Sequence, residues 1–287
     1  MFEDFELSMV DTGEVTIRVR RGGSGPPLLL LHGHPQTHVM WHKIAPLLAR
    51  DFTVVAADLR GYGQSSKPAT TSEHMPYSKR VMALDQMAVM QHFGFEKFSV
   101  VGHDRGARCA YRMALDHAER VERLAVLDII PTGEAFRRTN MEFALGFWHW
   151  FFLAQPYDLP ERMINANPEN YYFRKGRERF DPEALADYLQ AIHNPDTVHA
   201  MCEDYRAGAT IDYMIDEADR GKRKITCPTL ALWSLQGELE KWYDVLDVWR
   251  IWADDVQGHG IDCGHYMAEE APEKTYAALY DFLTGRK

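Results

Sequence analysis

Short runs of aliphatic residues alternate with helix-compatible segments over much of the chain, as is typical of parallel strands buried on both faces. Before them, residues 5–10 and 15–19 alternate apolar and polar side chains around a turn, which predicts an antiparallel hairpin. A helix is predicted over residues 78–93, and alternating strands and helices indicate βαβ units around a mostly parallel sheet. The aliphatic runs are residues 28–31, 53–57, 98–101, 124–127 and 229–233.

One long segment interrupts this alternation. Residues 133–221 are helix-like and rich in aromatic side chains, and the strand pattern returns only after them. We therefore expect residues 1–132 and 222–287 to form the core and residues 133–221 to form an inserted helical lid. An insertion after a strand lies over the sheet edge where open α/β proteins bind ligands.

Composition and charge narrow the classes of partner. No segment approaches the roughly 18 apolar residues of a membrane span, and the amino-terminal residues are acidic, unlike a signal peptide. The formal charge of −10 argues against binding to nucleic acid. The four cysteines lack the spacing of a metal or redox site, which fits reduced thiols. We expect a cytoplasmic protein that does not bind a membrane and that uses no metal or cofactor.

The most informative stretch is Gly-His-Asp-Arg-Gly at residues 102–106, directly after the run at 98–101. Small residues on both sides of Asp104 indicate a sharp turn from a strand into a helix, where Cβ atoms have no room. The residue at the centre of such an elbow projects from the sheet edge. Asp104 could be a nucleophile that forms an ester with its substrate, or a helix N-cap, since Asp is common there.

Several strings together carry a resemblance to a known family. The chain resembles the α/β-hydrolase fold along essentially its whole length, through residues 32–35, 58–65, the elbow and Gly264-His265. Within that fold it is similar to haloacetate (fluoroacetate) dehalogenases. The strings that carry this similarity are Gly-His-Asp-Arg-Gly-Ala-Arg at 102–108, Leu-Asp-Ile-Ile-Pro-Thr at 127–132, Trp-His-Trp at 148–150 and Glu-Asp-Tyr-Arg-Ala-Gly at 203–208.

The resemblance implies an α/β-hydrolase fold: a mostly parallel central sheet, helices on both faces and an inserted helical lid. It also implies a homodimer formed through the lid. The substrate would be a small anionic organic molecule, either fluoroacetate or chloroacetate, and the sequence does not decide between them.

A second step must hydrolyse the proposed ester, so a general base has to activate water. His265 is the candidate because an imidazole titrates near neutral pH and because the order nucleophile, acid, histidine is that of hydrolases. Asp128, directly after a buried strand, is the expected partner of His265, and the resemblance favours it. Glu238 or Glu240 is the alternative acid, because many members of the fold place theirs after the following strand.

Ester hydrolysis places negative charge on an oxygen of Asp104. The backbone N–H groups of His34 and Arg105 are the expected donors to it. Relatives usually have Phe where this chain has His34. The backbone donor survives that change, and the wall of the site becomes more polar.

Arg105 and Arg108 lie three residues apart on the helix after the elbow and share one of its faces. The first turn of a helix already carries positive dipole charge, so two arginines there are unfavourable without an anion, unless they lie on a solvated surface. Planar guanidinium groups match a carboxylate with two hydrogen bonds. Both arginines are therefore candidates to bind a substrate carboxylate.

The resemblance assigns the halide pocket to His149, Trp150 and Tyr205, whose side chains all carry hydrogen-bond donors. One departure is that relatives have a further Trp in a longer lid segment, whereas residues 171–180 contain none. Two other classes remain open. These are a non-catalytic protein that binds a small carboxylate, and a hydrolase of neutral substrates related to epoxide hydrolases or haloalkane dehalogenases.

Overall fold

The computed structural model describes residues 1–286, and its centre is an eight-stranded sheet in the order β1-β2-β4-β3-β5-β6-β7-β8. β2 pairs antiparallel with β1 and with β4, and the other pairs are parallel. The predicted α/β-hydrolase architecture is therefore confirmed. The strands are β1 Glu6–Asp11, β2 Thr16–Gly22, β3 Pro27–Leu31, β4 Thr53–Ala57, β5 Phe98–His103, β6 Val121–Leu127, β7 Thr229–Ser234 and β8 Val256–Ile261.

The predicted strands are buried as their sequence requires. Every residue of β5 and β7 is buried, and β3 and β4 are buried except for their first residue. The amino-terminal hairpin is confirmed in β1 and β2. β8, one of the two edge strands, was not predicted; its first five residues alternate between partly exposed and exposed, and Ile261 at its end is buried.

Helices cover the sheet and fill the insertion. The predicted helix over 78–93 is confirmed, with one residue fewer at each end. The helices are α1 Ala45–Leu48, α2 Lys79–His92, α3 Arg105–Asp116, α4 Thr132–Arg137, α5 Met141–Gly146, α6 Trp148–Leu153, α7 Leu159–Asn165, α8 Pro168–Phe173, α9 Pro182–Ile192, α10 Pro195–Ala207, α11 Tyr213–Asp219, α12 Leu239–Trp242, α13 Val245–Arg250, α14 Met267–Glu270 and α15 Pro272–Thr284. Over residues 1–286, none of these helices combines the length and apolar character needed to cross a bilayer.

The chain between β6 and β7 contains α4 to α11 and no described strand. Aromatic and aliphatic side chains of this segment form most of a second hydrophobic cluster, which includes Phe143, Trp150 and Tyr205 and is joined by Val248 of α13. This packing explains why the segment is so rich in aromatic residues. The division into a core and a lid at residues 133 and 221 stays a prediction.

A buried carboxylic acid connects the insertion to the core. Nε2 of Gln36, in the loop after β3, donates to Oε2 of Glu269 in α14. Nε2 of Gln36 also donates to the hydroxyl of Tyr188 in α9, at 3.4 Å, which places that hydroxyl beside the same carboxyl. Burial raises the pKa of Glu269 to about 8, although these two partners and the charge of Lys43 oppose the shift. Glu269 is therefore mostly protonated at neutral pH.

This cluster predicts a loss of stability as the pH rises. The folded protein favours protonated Glu269, so the stabilisation is complete below its ordinary pKa and is lost as the pH rises through about 8. Glu269→Gln imitates the protonated acid. We expect the free energy of unfolding, measured by urea titration, to fall less between pH 5 and 9 in this variant, by more than about 1 kcal/mol.

Glu273→Gln, which removes a charge from an exposed position on α15, is the matched control and should keep the slope of the parent protein. Equal slopes for the parent and Glu269→Gln would contradict the assignment of a buried, protonated acid.

Candidate active site

A cavity of about 360 Å³ is lined by residues that follow the carboxyl ends of the strands and by residues of the insertion. It collects nearly all the side chains predicted to form the site, from distant parts of the sequence. Those that line it are His34, Asp104, Arg108, Asp128, His149, Trp150, Tyr205 and His265. Arg105 is not among the lining residues.

Asp104 lies at the predicted elbow between β5 and α3. Its φ of 47° and ψ of −117° belong to a region that non-glycine residues rarely adopt, at a cost of about 1–3 kcal/mol. A Cβ added at Gly102 would lie 2.5 Å from Cα of Ala107, which confirms that the elbow needs a small residue there. Asp104 occupies the N-cap position of α3, but its side chain accepts no capping bond within that helix, so capping does not explain an Asp at this position.

His265 and Asp128 form a hydrogen-bonded pair beside Asp104. Nδ1 of His265 lies 2.6 Å from Oδ2 of Asp128, which fixes the ring and leaves Nε2 for chemistry. Oδ1 of Asp128 accepts a bond of 2.9 Å from the backbone N–H of Ser234, in β7. The alternative acid Glu238 also lines the cavity, but its carboxylate is paired with Lys241. Among these acids, Asp128 is the one in contact with the imidazole.

The charges of these groups depend on one another. Burial lowers the pKa of His265, but the hydrogen bond to Asp128 and the charges of Asp128 and Asp104 outweigh it, and the net shift is upward. Burial would raise the pKa of Asp104, but His265, His103 and the two arginines lower it overall. Asp104 is therefore ionised at neutral pH, as a nucleophile must be.

One of the two predicted oxyanion donors is in place. The backbone N–H of His34 donates to Oδ1 of Asp104 over 2.9 Å. The loop can approach this closely because residue 33 is glycine: a Cβ there would lie 2.5 Å from Cβ of Asp104. Within residues 1–286, the bonds to the Asp104 carboxylate do not include one from the backbone N–H of Arg105. That second donor stays a prediction.

Arg108 is buried, with 3% of its surface exposed, and faces the cavity. Nη1 donates to the carbonyl oxygen of Ile130 at 3.0 Å and to the hydroxyl of Thr132 at 3.2 Å, while Nε has no partner. The guanidinium lies over the ring of Trp150, 4.4 Å from its centroid. In the described part of the chain, Arg108 forms no ion pair with a carboxylate. Burial and then the charge of Arg105 lower its pKa, and the more distant charge of Asp104 offsets this shift only in part.

Arg105, the other arginine predicted to bind a substrate carboxylate, is already paired with a carboxylate of the protein. Its Nε donates to Oδ2 of Asp204 at 3.0 Å, and its Nη2 reaches both Oδ1 and the carbonyl oxygen of the same residue, at 2.5 and 2.7 Å. The positive charge of Arg105, which was predicted to bind a substrate carboxylate, is therefore neutralised by Asp204 in α10 of the insertion. Nη1 has no protein partner in residues 1–286, and binding of a substrate carboxylate by Arg105 stays a prediction.

Asp204 is the residue that the sequence analysis missed. It also accepts bonds from Nζ of Lys79 and, over 2.7 Å, from the hydroxyl of Tyr62. Burial raises the pKa of Asp204, but Arg105 and then Lys79 lower it overall, so it is ionised. Asp204 lies in the string 203–208 that carries the family resemblance, and its neighbour Tyr205 was singled out instead. Two arginines three residues apart on one face of a helix were the signal for a buried acid.

The three residues predicted to hold a halide come together. Ring centroids of His149 and Trp150 lie 5.9 and 6.2 Å from that of Tyr205. Burial lowers the pKa of His149 to about 4, so the imidazole is neutral. Burial raises the pKa of Tyr205 well above its usual range, which keeps the hydroxyl protonated. All three side chains can therefore donate hydrogen bonds.

Further aromatic residues of the cavity wall were not predicted as site residues. Tyr171 and Tyr172 come from α8, and Tyr266 follows His265. The hydroxyl of Tyr172 is buried and has no protein partner. Tyr171 and Tyr172 lie in the segment 171–180, where the family resemblance implies a further Trp that this chain lacks.

Comparison with known proteins identifies relatives over most of the chain. The sequence pattern of the alpha/beta hydrolase fold matches residues 26–272. A fluoroacetate dehalogenase from Burkholderia sp is 45% identical, over 99% of this chain and 95% of that protein. A soluble epoxide hydrolase from Corynebacterium sp. (strain C12) is 34% identical, over 88% of this chain and 87% of that protein. A crystal structure from Nostoc sp PCC 7120, described as an α/β hydrolase, is 57% identical with a TM-score of 0.97 and 99% coverage of both chains.

Proposed function

The chain belongs to the α/β-hydrolase family, and we propose that it hydrolyses haloacetates, both fluoroacetate and chloroacetate, to glycolate and halide. The observation that carries the proposal is Arg108, a buried cation that faces the cavity without a carboxylate partner. Burying an unpaired charge is costly, so the site has to be completed by an anion. A haloacetate brings a carboxylate close to its reacting carbon. The likeness to a fluoroacetate dehalogenase supports the same assignment.

The first step is displacement at carbon by Asp104. Oδ1 is held by the backbone N–H of His34, which leaves Oδ2 to attack the CH₂ group. The new O–C bond forms as the carbon–halogen bond breaks, and the halide leaves with that electron pair. The product is a glycolyl ester of Asp104. His149, Trp150 and Tyr205 donate hydrogen bonds to the departing halide.

The second step is hydrolysis of the ester. His265 accepts a proton at Nε2 from water, whose oxygen attacks the carboxyl carbon of Asp104, and the backbone N–H of His34 stabilises the oxyanion. Collapse of this intermediate releases glycolate and regenerates the Asp104 carboxylate, and the proton passes from His265 to solvent. Asp128 holds the imidazole in place and stabilises its charged form.

Electrostatics makes the two steps follow one another. The negative charge of Asp104 contributes to raising the pKa of His265. Ester formation removes that charge, so the pKa of the imidazole falls when a base is required. Before the reaction, the same interaction keeps Asp104 ionised as a nucleophile.

A second candidate function is epoxide hydrolysis. Epoxide hydrolases share the elbow aspartate and use a pair of lid tyrosines to protonate the epoxide oxygen. Tyr172 on α8 and Tyr205 on α10 line this cavity, and burial raises the pKa of both well above the usual range. The likeness to a soluble epoxide hydrolase points the same way. Against it, a neutral epoxide would leave Arg108 without a counter-charge.

A direct assay separates these functions. We expect release of halide and glycolate from chloroacetate and fluoroacetate, measured by ion chromatography, and no turnover of styrene oxide. Turnover of styrene oxide without halide release would establish the second candidate. Binding of chloroacetate without any turnover would indicate a carboxylate-binding protein.

The role of Arg108 can be tested by Arg108→Lys. Lysine keeps the positive charge but lacks the planar pair of donors that matches a carboxylate. We expect kcat/KM for chloroacetate to fall by more than about tenfold, or roughly 1.4 kcal/mol. Arg50→Lys, at an exposed position, is the matched control and should retain the parent value. Parent-like kinetics for Arg108→Lys, with unchanged circular dichroism, would show that Arg108 does not hold the substrate carboxylate; parent-like kinetics for Arg105→Lys as well would show that the substrate is not held by its carboxylate.

A further inference from the structure

The imidazole of His34 forms no hydrogen bond with another protein group in residues 1–286. It lies against the edges of three tyrosine rings, with centroid distances of 5.1 Å to Tyr205, 5.3 Å to Tyr172 and 6.3 Å to Tyr62. Nδ1 is buried without a hydrogen bond, and in residues 1–286 no protein group bonds Nε2 either. A molecule bound in the cavity is therefore the remaining hydrogen-bond partner for this ring.

The ring is neutral and carries one N–H. Burial, together with the charge of Arg105, lowers the pKa of His34 to about 3, although the charge of Asp104 opposes the shift. A polar group buried among aromatic rings without a partner destabilises a fold, and a phenyl ring would fit such surroundings without that cost. Packing therefore does not explain a histidine at this position.

Its place in the site indicates what the ring meets. The backbone N–H of His34 holds Oδ1 of Asp104, so the side chain starts beside the attacking carboxylate. From there the ring reaches Tyr205, the residue that also contacts His149. His34 and His149 thus approach the same tyrosine, within the group of side chains assigned to the leaving halide.

We propose that the His34 imidazole donates a fourth hydrogen bond to the departing halide and makes the enzyme more effective on fluoroacetate. This inference rests on the proposed function. As the carbon–halogen bond breaks, the N–H of the ring meets the negative charge that collects on the halogen. Fluoride is the most basic halide and forms the strongest hydrogen bonds, so a donor that acts in the transition state helps it most.

His34→Phe removes the donor and keeps the aromatic ring and the backbone N–H. We expect kcat for fluoroacetate to fall by at least about tenfold, with kcat for chloroacetate changed by less than about threefold. His34→Gln, which retains an N–H donor, should recover part of the fluoroacetate rate. His92→Phe, the same exchange at an exposed position, should behave like the parent protein.

Binding of the product ion gives a readout that does not depend on turnover. Fluoride should inhibit His34→Phe more weakly than the parent, by at least about tenfold in Ki, and bromide should inhibit both alike.

Other outcomes overturn the inference. An equal rise in KM for both substrates would show that the ring contacts the carboxylate, and accumulation of the ester would show that it orients water. Unchanged kinetics, or a parent that releases chloride but no fluoride, would exclude a fluoride donor. A parent that releases neither halide would refute the proposed function, and this inference would fall with it; an active parent with an unaltered substrate ratio in the variant would refute this inference alone.

Discussion

A buried carboxylate surrounded by positive groups is the constraint on which the site depends. Asp104 is held in a strained elbow, and it is ionised because His265 and the two arginines outweigh the effect of burial. Burial lowers the pKa of the neighbouring His103 to about 4, so the groups whose positive charge needs compensation are His265, Arg105 and Arg108. Asp128 balances His265 and Asp204 balances Arg105, whereas Arg108 is balanced only at longer range, by Asp104 itself. These charges therefore keep Asp104 ionised as a nucleophile and leave Arg108 as a site for a second anion.

The same balance links the insertion to the chemistry. Asp204 belongs to α10, yet its partners Arg105, Lys79 and Tyr62 belong to the core. The insertion thus supplies the counter-charge for one arginine and the rings that face the other. A shift of α10 would move Tyr205 and release the charge of Arg105 together. The charge around the nucleophile Asp104 therefore depends on the position of the insertion.

Features fixed by local chemistry could be predicted from the sequence. The aliphatic runs identified the buried strands, and the glycines around Asp104 identified the elbow, because both follow from steric and solvation rules that act over a few residues. Features that depend on distant contacts could not. Asp204 meets Arg105 only in the folded chain, so its pairing was missed. β8 was missed because Gly258 weakens the strand pattern. The fold requires glycine there, since a Cβ would overlap the backbone of Ala231 in the neighbouring strand β7.

The central claim is that Asp104 forms a covalent ester that His265 hydrolyses. His265→Asn removes the base but leaves the nucleophile and Arg108 in place, so alkylation should proceed while hydrolysis stops. The direct measurement is mass spectrometry of this variant after incubation with chloroacetate. The account predicts a protein heavier by one glycolyl group, with the added mass on the peptide that contains Asp104. An unmodified Asp104 in a variant that still releases halide would contradict it.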